Sequence, residues 1–179
     1  MRHRFITAYG GFSPQIAANA YVDRMARLIG RVVLAPGSSV WPGAVLRADE
    51  AGITVGAGSA VLDLCLLESP ADRPVVVEEN ALISHKATLH GAMVRAGALV
   101  GVGAIVLDGA VVGAGALVGA GALVPPGAEI PPGVLALGAP ARVIRPLKPE
   151  ESANIVEQVA VMRAKAREYR RLEALEAEE

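Results

Sequence analysis

Between Val94 and Ile130 the hydrophobic positions recur every six residues. The stretch reads VRAGAL, VGVGAI, VLDGAV, VGAGAL, VGAGAL, VPPGAE, with Val94, Val100, Val106, Val112, Val118, Val124 and Ile130 in the first slot. Gly97, Gly103, Gly109, Gly115, Gly121, Gly127 and Gly133 fill the fourth slot, and Ala98, Ala104, Ala110, Ala116, Ala122 and Ala128 the fifth. An amphipathic helix needs apolar residues at a period of about 3.6, and a flexible Gly/Ala linker would not keep β-branched valine in phase. The period predicts a parallel β-helix. Each hexad is a short strand with its first side chain in a shared core. The glycine marks the corner, where positive φ is wanted, and the fifth residue is small because the corner leaves little room. Three hexads close a triangular coil, and coils stack at about 4.8 Å.

The same phase runs back to Ile16, through Val22, Leu28, Leu34, Val40 and Leu46. Residues 1–15 read as a lead-in in which Gly10, Gly11 and Pro14 break any regular element. The step then stretches from Leu46 to Val55, which places an excursion at Arg47–Thr54. A second excursion, Glu68–Val76, carries Pro70, Asp72, Arg73 and Pro74 and reads as a surface loop. Hexads resume at Val77, Ile83 and Leu89, shorten by one residue and enter the glycine-rich run. Coils thus begin at Ile16, Leu34, Val55, Val77, Val94 and Val112, six coils and part of a seventh. The repeat ends near Pro131–Pro140, and a helix follows. Pro149 suits a first helical position, Glu150 and Glu151 suit the positive end of the helix dipole, and Ile155, Val159, Met162, Ala166, Tyr169, Leu172 and Leu175 recur at helical spacing. The stripe must be buried along the coil stack or against a neighbouring subunit, and the tail LEALEAEE is expected to fray. The chain divides into a β-helix domain with its lead-in, 1–147, and an amphipathic helix, 148–179.

Composition narrows the function. The 179 residues are 53% hydrophobic but only 3% aromatic, so the core is built from small aliphatics. A net charge of −1 without a basic tract gives nucleic acid and anionic membrane no handle. No apolar stretch reaches spanning length and the N-terminus lacks a signal-peptide core, so the expected location is the cytoplasm. The single cysteine, Cys65, falls in a fifth slot and reads as a small buried side chain rather than a nucleophile.

The chemistry is sparse. Of three histidines, His85 and His90 are close in sequence. His90, Glu68 and Arg47 hold the same slot in adjacent coils and should stack as a ladder on one outer face, whereas His85 falls on a different face. One subunit cannot easily bring both histidines to one atom. Three prisms packed about a threefold axis could, with Glu68 and His90 of one chain meeting His85 of the next around a metal. Two plainer readings stand beside this one: the histidines are interface polarity, or Glu68 simply pairs with Arg47.

The segments SSVWPGAVLRADE at Ser38–Glu50, SHKATLHG at Ser84–Gly91, the run Gly101–Gly127 and GAPARVIRPL at Gly138–Leu147 resemble the γ-class carbonic anhydrases and their relatives over nearly the whole chain. The resemblance implies an all-β, left-handed parallel β-helix with a C-terminal α-helix, assembled as a homotrimer. It also implies zinc, or another divalent transition metal, and a small-molecule substrate. His85 and His90 match two of the family's three metal-binding histidines. Arg47 and Asp49 match its interfacial Arg and Asp, Glu50 follows where some members carry an acid implicated in proton transfer, and Asp63 matches the aspartate of an IQD-like motif. Two positions depart. Glu68 stands where the first metal histidine falls, and Leu62 replaces the glutamine of the motif. Two histidines and a glutamate remain a workable catalytic zinc set. A carboxylate in place of a neutral imidazole leaves the metal less able to acidify its water, however, so CO2 hydration is expected to be weak or absent. The alternatives are a hexapeptide acyltransferase or acyl-CoA thioesterase, with His85 or His90 as general base, and a catalytically silent trimeric scaffold.

Overall fold

The computed structural model describes residues 5–176. The start of the lead-in and the last three residues of the expected fraying tail lie outside them. The chain winds as a parallel β-helix whose ladders follow the hexad slots. On the first face Ile16 pairs with Leu34, and the column continues through Val55, Val77, Val94 and Val112 to Ile130. The second face stacks Val22, Val40, Val61, Ile83, Val100, Val118 and Ala136. The third stacks Leu28, Leu46, Leu67, Leu89, Val106 and Val124. First-slot valines from Val94 to Val124 are fully buried, as are the fifth-slot alanines Ala98, Ala104, Ala110 and Ala116. Most fourth-slot residues take positive φ, and in the middle coils the corners are made by Leu64, Asn80 and Lys86 instead of glycine.

Three expectations are corrected. The lead-in is not free of regular structure: Ile6–Thr7 pairs with Leu28 and Ile29, and Phe12 stacks under the Arg31 guanidinium at 3.8 Å. The segment Arg47–Thr54 does not leave the sheet either. It lies within one strand, Val45–Val55, which turns from the third face onto the first alongside Arg27–Leu34. Its pairing shifts between Gly30 and Val32, so Asp49–Gly52 bulge outward without breaking the ladder. The turn works because Gly30 (φ +74°) lies against the Ala48 carbonyl, where an added Cβ would sit 2.2 Å from the oxygen. Finally, the helix does not follow the repeat directly. A strand, Arg142–Pro146, first pairs antiparallel with Val134–Leu137 and closes the end of the stack. The second excursion is a loop over Ser69–Pro74, shorter than expected, because Glu68 and Val75–Val76 lie in strands.

The helix Pro149–Glu176 lies along the second face, over Tyr21–Val22, Ser39–Val40, Ala60–Val61 and Leu82–Ile83. Ile155, Val159 and Ala166 bury there against Tyr21, Trp41, Leu62 and Leu82. The expected stripe fades toward its end: Tyr169, Leu172 and Leu175 remain exposed, although Tyr169 still meets Trp41 edge-on and Tyr21 at a tilt, with ring centroids 5.4 and 5.8 Å apart. At the other end Glu151 accepts the Lys148 N–H at 2.8 Å and both Arg145 guanidinium nitrogens at 2.7 Å, tying the helix start to the closing strand. Among the described residues no helix is long and apolar enough to cross a membrane.

Two outcomes test this account. Gly97→Ala, at an open corner, should cost about 1 kcal/mol for its left-handed backbone. Gly30→Ala must also push strands apart and should cost about 3 kcal/mol or more in chemical denaturation. Arg145, and then the Lys148 N–H, hold the Glu151 carboxyl down at about 2, below its ordinary 4.5. The stability it lends is therefore present above pH 4.5 and lost as the pH falls toward 2. Glu151→Gln should flatten the Tm against pH curve across that window.

Candidate metal and interface site

The third face carries the charged ladder expected from the repeat, because its strands turn Arg47, Glu68 and His90 outward from consecutive coils. The pairing is in register, Arg47 against Glu68 and Glu68 against His90. Arg47 Nη2 donates to Glu68 Oε1, and its Nη1 lies 3.7 Å from Asp49 Oδ2 in the bulge. The pairing of Glu68 with Arg47 is made, and the same Oε1 is also 4.0 Å from His90 Nε2. The other ring nitrogen of His90, Nδ1, stands 2.8 Å from Asp108 Oδ1 in the next coil. The Asp108 carboxylate accepts a hydrogen bond from Nδ1–H, which turns Nε2 toward Glu68. Glu50 is exposed at the edge of the bulge.

Asp108 was not singled out from sequence. Its signal was available: it is the one charged residue between Val100 and Ala128. The register also sets it diagonally above His90. Gly91 makes room for the contact, as a Cβ there would come within 2.7 Å of Asp108 Oδ1 and 2.8 Å of Arg73 Cβ in the Ser69–Pro74 loop.

His85 lies on the corner after the second face, directly above Asp63, with Nε2 3.4 Å from Asp63 Oδ2. Leu64 and Lys86, which follow these two residues, hold left-handed backbone at φ 60° and 61°. Such a conformation costs a non-glycine residue of order 1 kcal/mol or more, and it is the corner conformation that most fourth slots of the repeat share. Beside His85 a groove of about 380 Å3 runs under the helix, walled by Leu62, Leu82, Val161 and Met162. Leu62 is buried and offers no hydrogen bond. Cys65 is buried one coil below, donating to the Ser84 carbonyl at 3.0 Å, and burial pushes its thiol up to about 12, so it is not a nucleophile. No three metal-binding side chains come together within one chain among the described residues.

The outward surface beside the ladder is apolar. Val45, Leu66, Thr88 and Ile105 form the column two residues before Arg47, Glu68 and His90. Leu66 and Ile105 are exposed there, as are Leu64 and Val102 on the adjoining corner.

The sequence matches no family model. It is 38% identical over 146 residues to a carbonic anhydrase of Geobacillus kaustophilus, covering 82% of this chain and 80% of that protein. The chain belongs to the γ-carbonic-anhydrase-like family of hexapeptide-repeat proteins. An uncharacterized transferase of Bacillus subtilis, YtoA, is 51% identical over 150 residues, with 84% and 88% of the two chains covered. Among solved structures, a Bacillus cereus protein assigned as an acetyltransferase superposes with a TM-score of 0.92 at 35% identity, over 93% of this chain and 97% of the other. A hexapeptide transferase family protein of Anaplasma phagocytophilum gives 0.90 at 32%, over 94% and 99%.

The Asp108 contact has a direct consequence. Asp108→Asn should leave the fold intact and alter the His90 ring, read as a changed imidazole nitrogen pattern in 15N NMR, while the His85 signals stay in place.

Proposed function

We propose that this protein is a homotrimer that holds a divalent transition metal, zinc foremost, between subunits, with Glu68 and His90 from one chain and the partner subunit's His85. The observation that carries this reading is the orientation of His90: Asp108 occupies Nδ1, and Nε2 faces Glu68 across 4.0 Å. A carboxylate behind a histidine is the usual support of a metal ligand. Tetrahedral zinc with bonds of about 2.0–2.2 Å sets its ligand atoms about 3.3–3.6 Å apart, so a small side-chain movement closes the 4.0 Å gap onto an ion. The apolar column beside the ladder supports association, because burying Leu66, Ile105, Leu64 and Val102 against a neighbour sets the ladder at the seam. A threefold ring is a closed arrangement that presents one corner to one face throughout.

A divalent metal held there supplies Lewis-acid activation of water, for CO2 hydration or a related addition to a carbonyl. Arg47 orients the Glu68 carboxylate and Asp49 steadies Arg47. Glu50, open to solvent, carries a proton away in this reading. Leu62 cannot orient a reacting water, and the Glu68 carboxylate adds negative charge to the ligand set. Both departures reduce CO2 hydration relative to a three-histidine relative.

A second reading is favoured by one feature, the groove beside His85. Its apolar walls and the Asp63–His85 pair suit an acyl group attacked with His85 as general base, and relatives named as transferases share the fold.

Elemental analysis of protein purified without chelators should find about one metal per chain, lost in His85→Ala and His90→Ala. Asp108→Asn should weaken metal affinity about 10–100-fold. CO2 hydration should fall well below that of a three-histidine family member. A metal-free protein that is still trimeric by light scattering overturns the metal reading, and acetyl-CoA turnover would then select acyl transfer over a scaffold.

A further inference from the structure

On the far side of the helix from His85, a groove of about 300 Å3 lies between the helix and the corner turns of the first coils. Its helical wall presents Arg163, Arg167 and Arg170, spaced so that all three share one face. Its floor is the turn column of Asn19, Gly37 and Gly58. Arg163 Nε donates to the Gly58 carbonyl at 3.0 Å and its Nη2 to Asn80 Oδ1. Arg170 donates to the Ala18 and Asn19 carbonyls at 2.8 and 3.3 Å. These contacts are spaced to match. Arg163 and Arg170 are about 10.5 Å apart along a helix, and Asn19 and Gly58, two coils apart, about 9.6 Å.

The anchoring explains two arginines but not their charge, since each acceptor they use is neutral. None of the three forms an ion pair among the described residues, whereas Arg24, Arg47, Arg95, Arg145 and Arg171 all do. Arg167 is exposed between the two anchors and needed by neither. Like charges at this spacing repel, and here the repulsion is left standing over a concave surface.

We propose that this groove binds a phosphate-bearing small molecule through Arg163, Arg167 and Arg170. Guanidinium donors match phosphate oxygens in geometry, and a dianion answers three clustered cations better than a single carboxylate does. The volume is at the small end of ligand sites, room for a phosphate and one attached ring. A long polyanion is disfavoured by the net charge of −1 and by Glu168 and Glu173 on the same helix.

Isothermal titration in low salt, with EDTA present so that the proposed metal plays no part, should show saturable binding of adenosine monophosphate and none of adenosine. Arg167→Ala should weaken it about tenfold or more with Tm unchanged, because Arg167 anchors nothing. Arg163→Ala should also weaken it but lower Tm, having lost its hold on Gly58. Tighter binding of the nucleotide than of inorganic phosphate identifies an organic phosphate as the ligand, and equal binding identifies free phosphate; either sustains the site. No saturable binding of either phosphate, equal binding of adenosine, or an Arg167→Ala protein that binds as well as the parent overturns it.

Discussion

The in-register parallel ladder is the constraint on which the rest depends. Every backbone hydrogen bond between coils requires like slots to stack at about 4.8 Å, so any side chain type chosen for one slot is repeated up the wall. That repetition makes a continuous core of single valines and alanines. It also turns three isolated residues, Arg47, Glu68 and His90, into neighbours on one outer face.

The ladder also dictates where irregularity can go. An extra residue inside a hexad would flip side chains between core and solvent, so insertions must leave at a corner. The Asp49–Gly52 bulge and the Ser69–Pro74 loop both fall at the corner between the third and first faces, in consecutive coils, and the shortened hexad between Leu89 and Val94 falls at the same corner one coil later. All three adjoin the ladder of charged residues. The bulge brings Asp49 to Arg47, and the loop comes over Gly91 beside Asp108. The repeat supplies a rigid wall and its interruptions supply the differences that chemistry needs.

The helix plays a comparable double part. Its apolar side closes the second face around Trp41, and three of the few aromatic residues in the chain meet there. Its flanks border two grooves of opposite character, one apolar beside His85 and one cationic over the corner turns. Both exist only because a straight rod is laid against a flat wall, leaving furrows on either side.

Much of this was legible in the sequence. A six-residue period names its own partners, so the coil starts, the glycine corners, the buried alanines and the Arg47–Glu68–His90 stack all followed from counting. The helix and its first residue, Pro149, followed from a change of period. The sequence did not determine whether an interrupted hexad would leave the sheet. Val45–Val55 stays within it, because Gly30 lets the Ala48 carbonyl come close, and that is a matter of backbone contact between residues far apart in order. Nor did it determine side-chain direction within a slot. Asp108 reaching diagonally to His90, Asp63 standing under His85, and helix arginines donating to the turns depend on rotamers and on the seating of the helix, which periodicity cannot encode. Slots are set by the backbone repeat, and contacts between slots only by the packed chain.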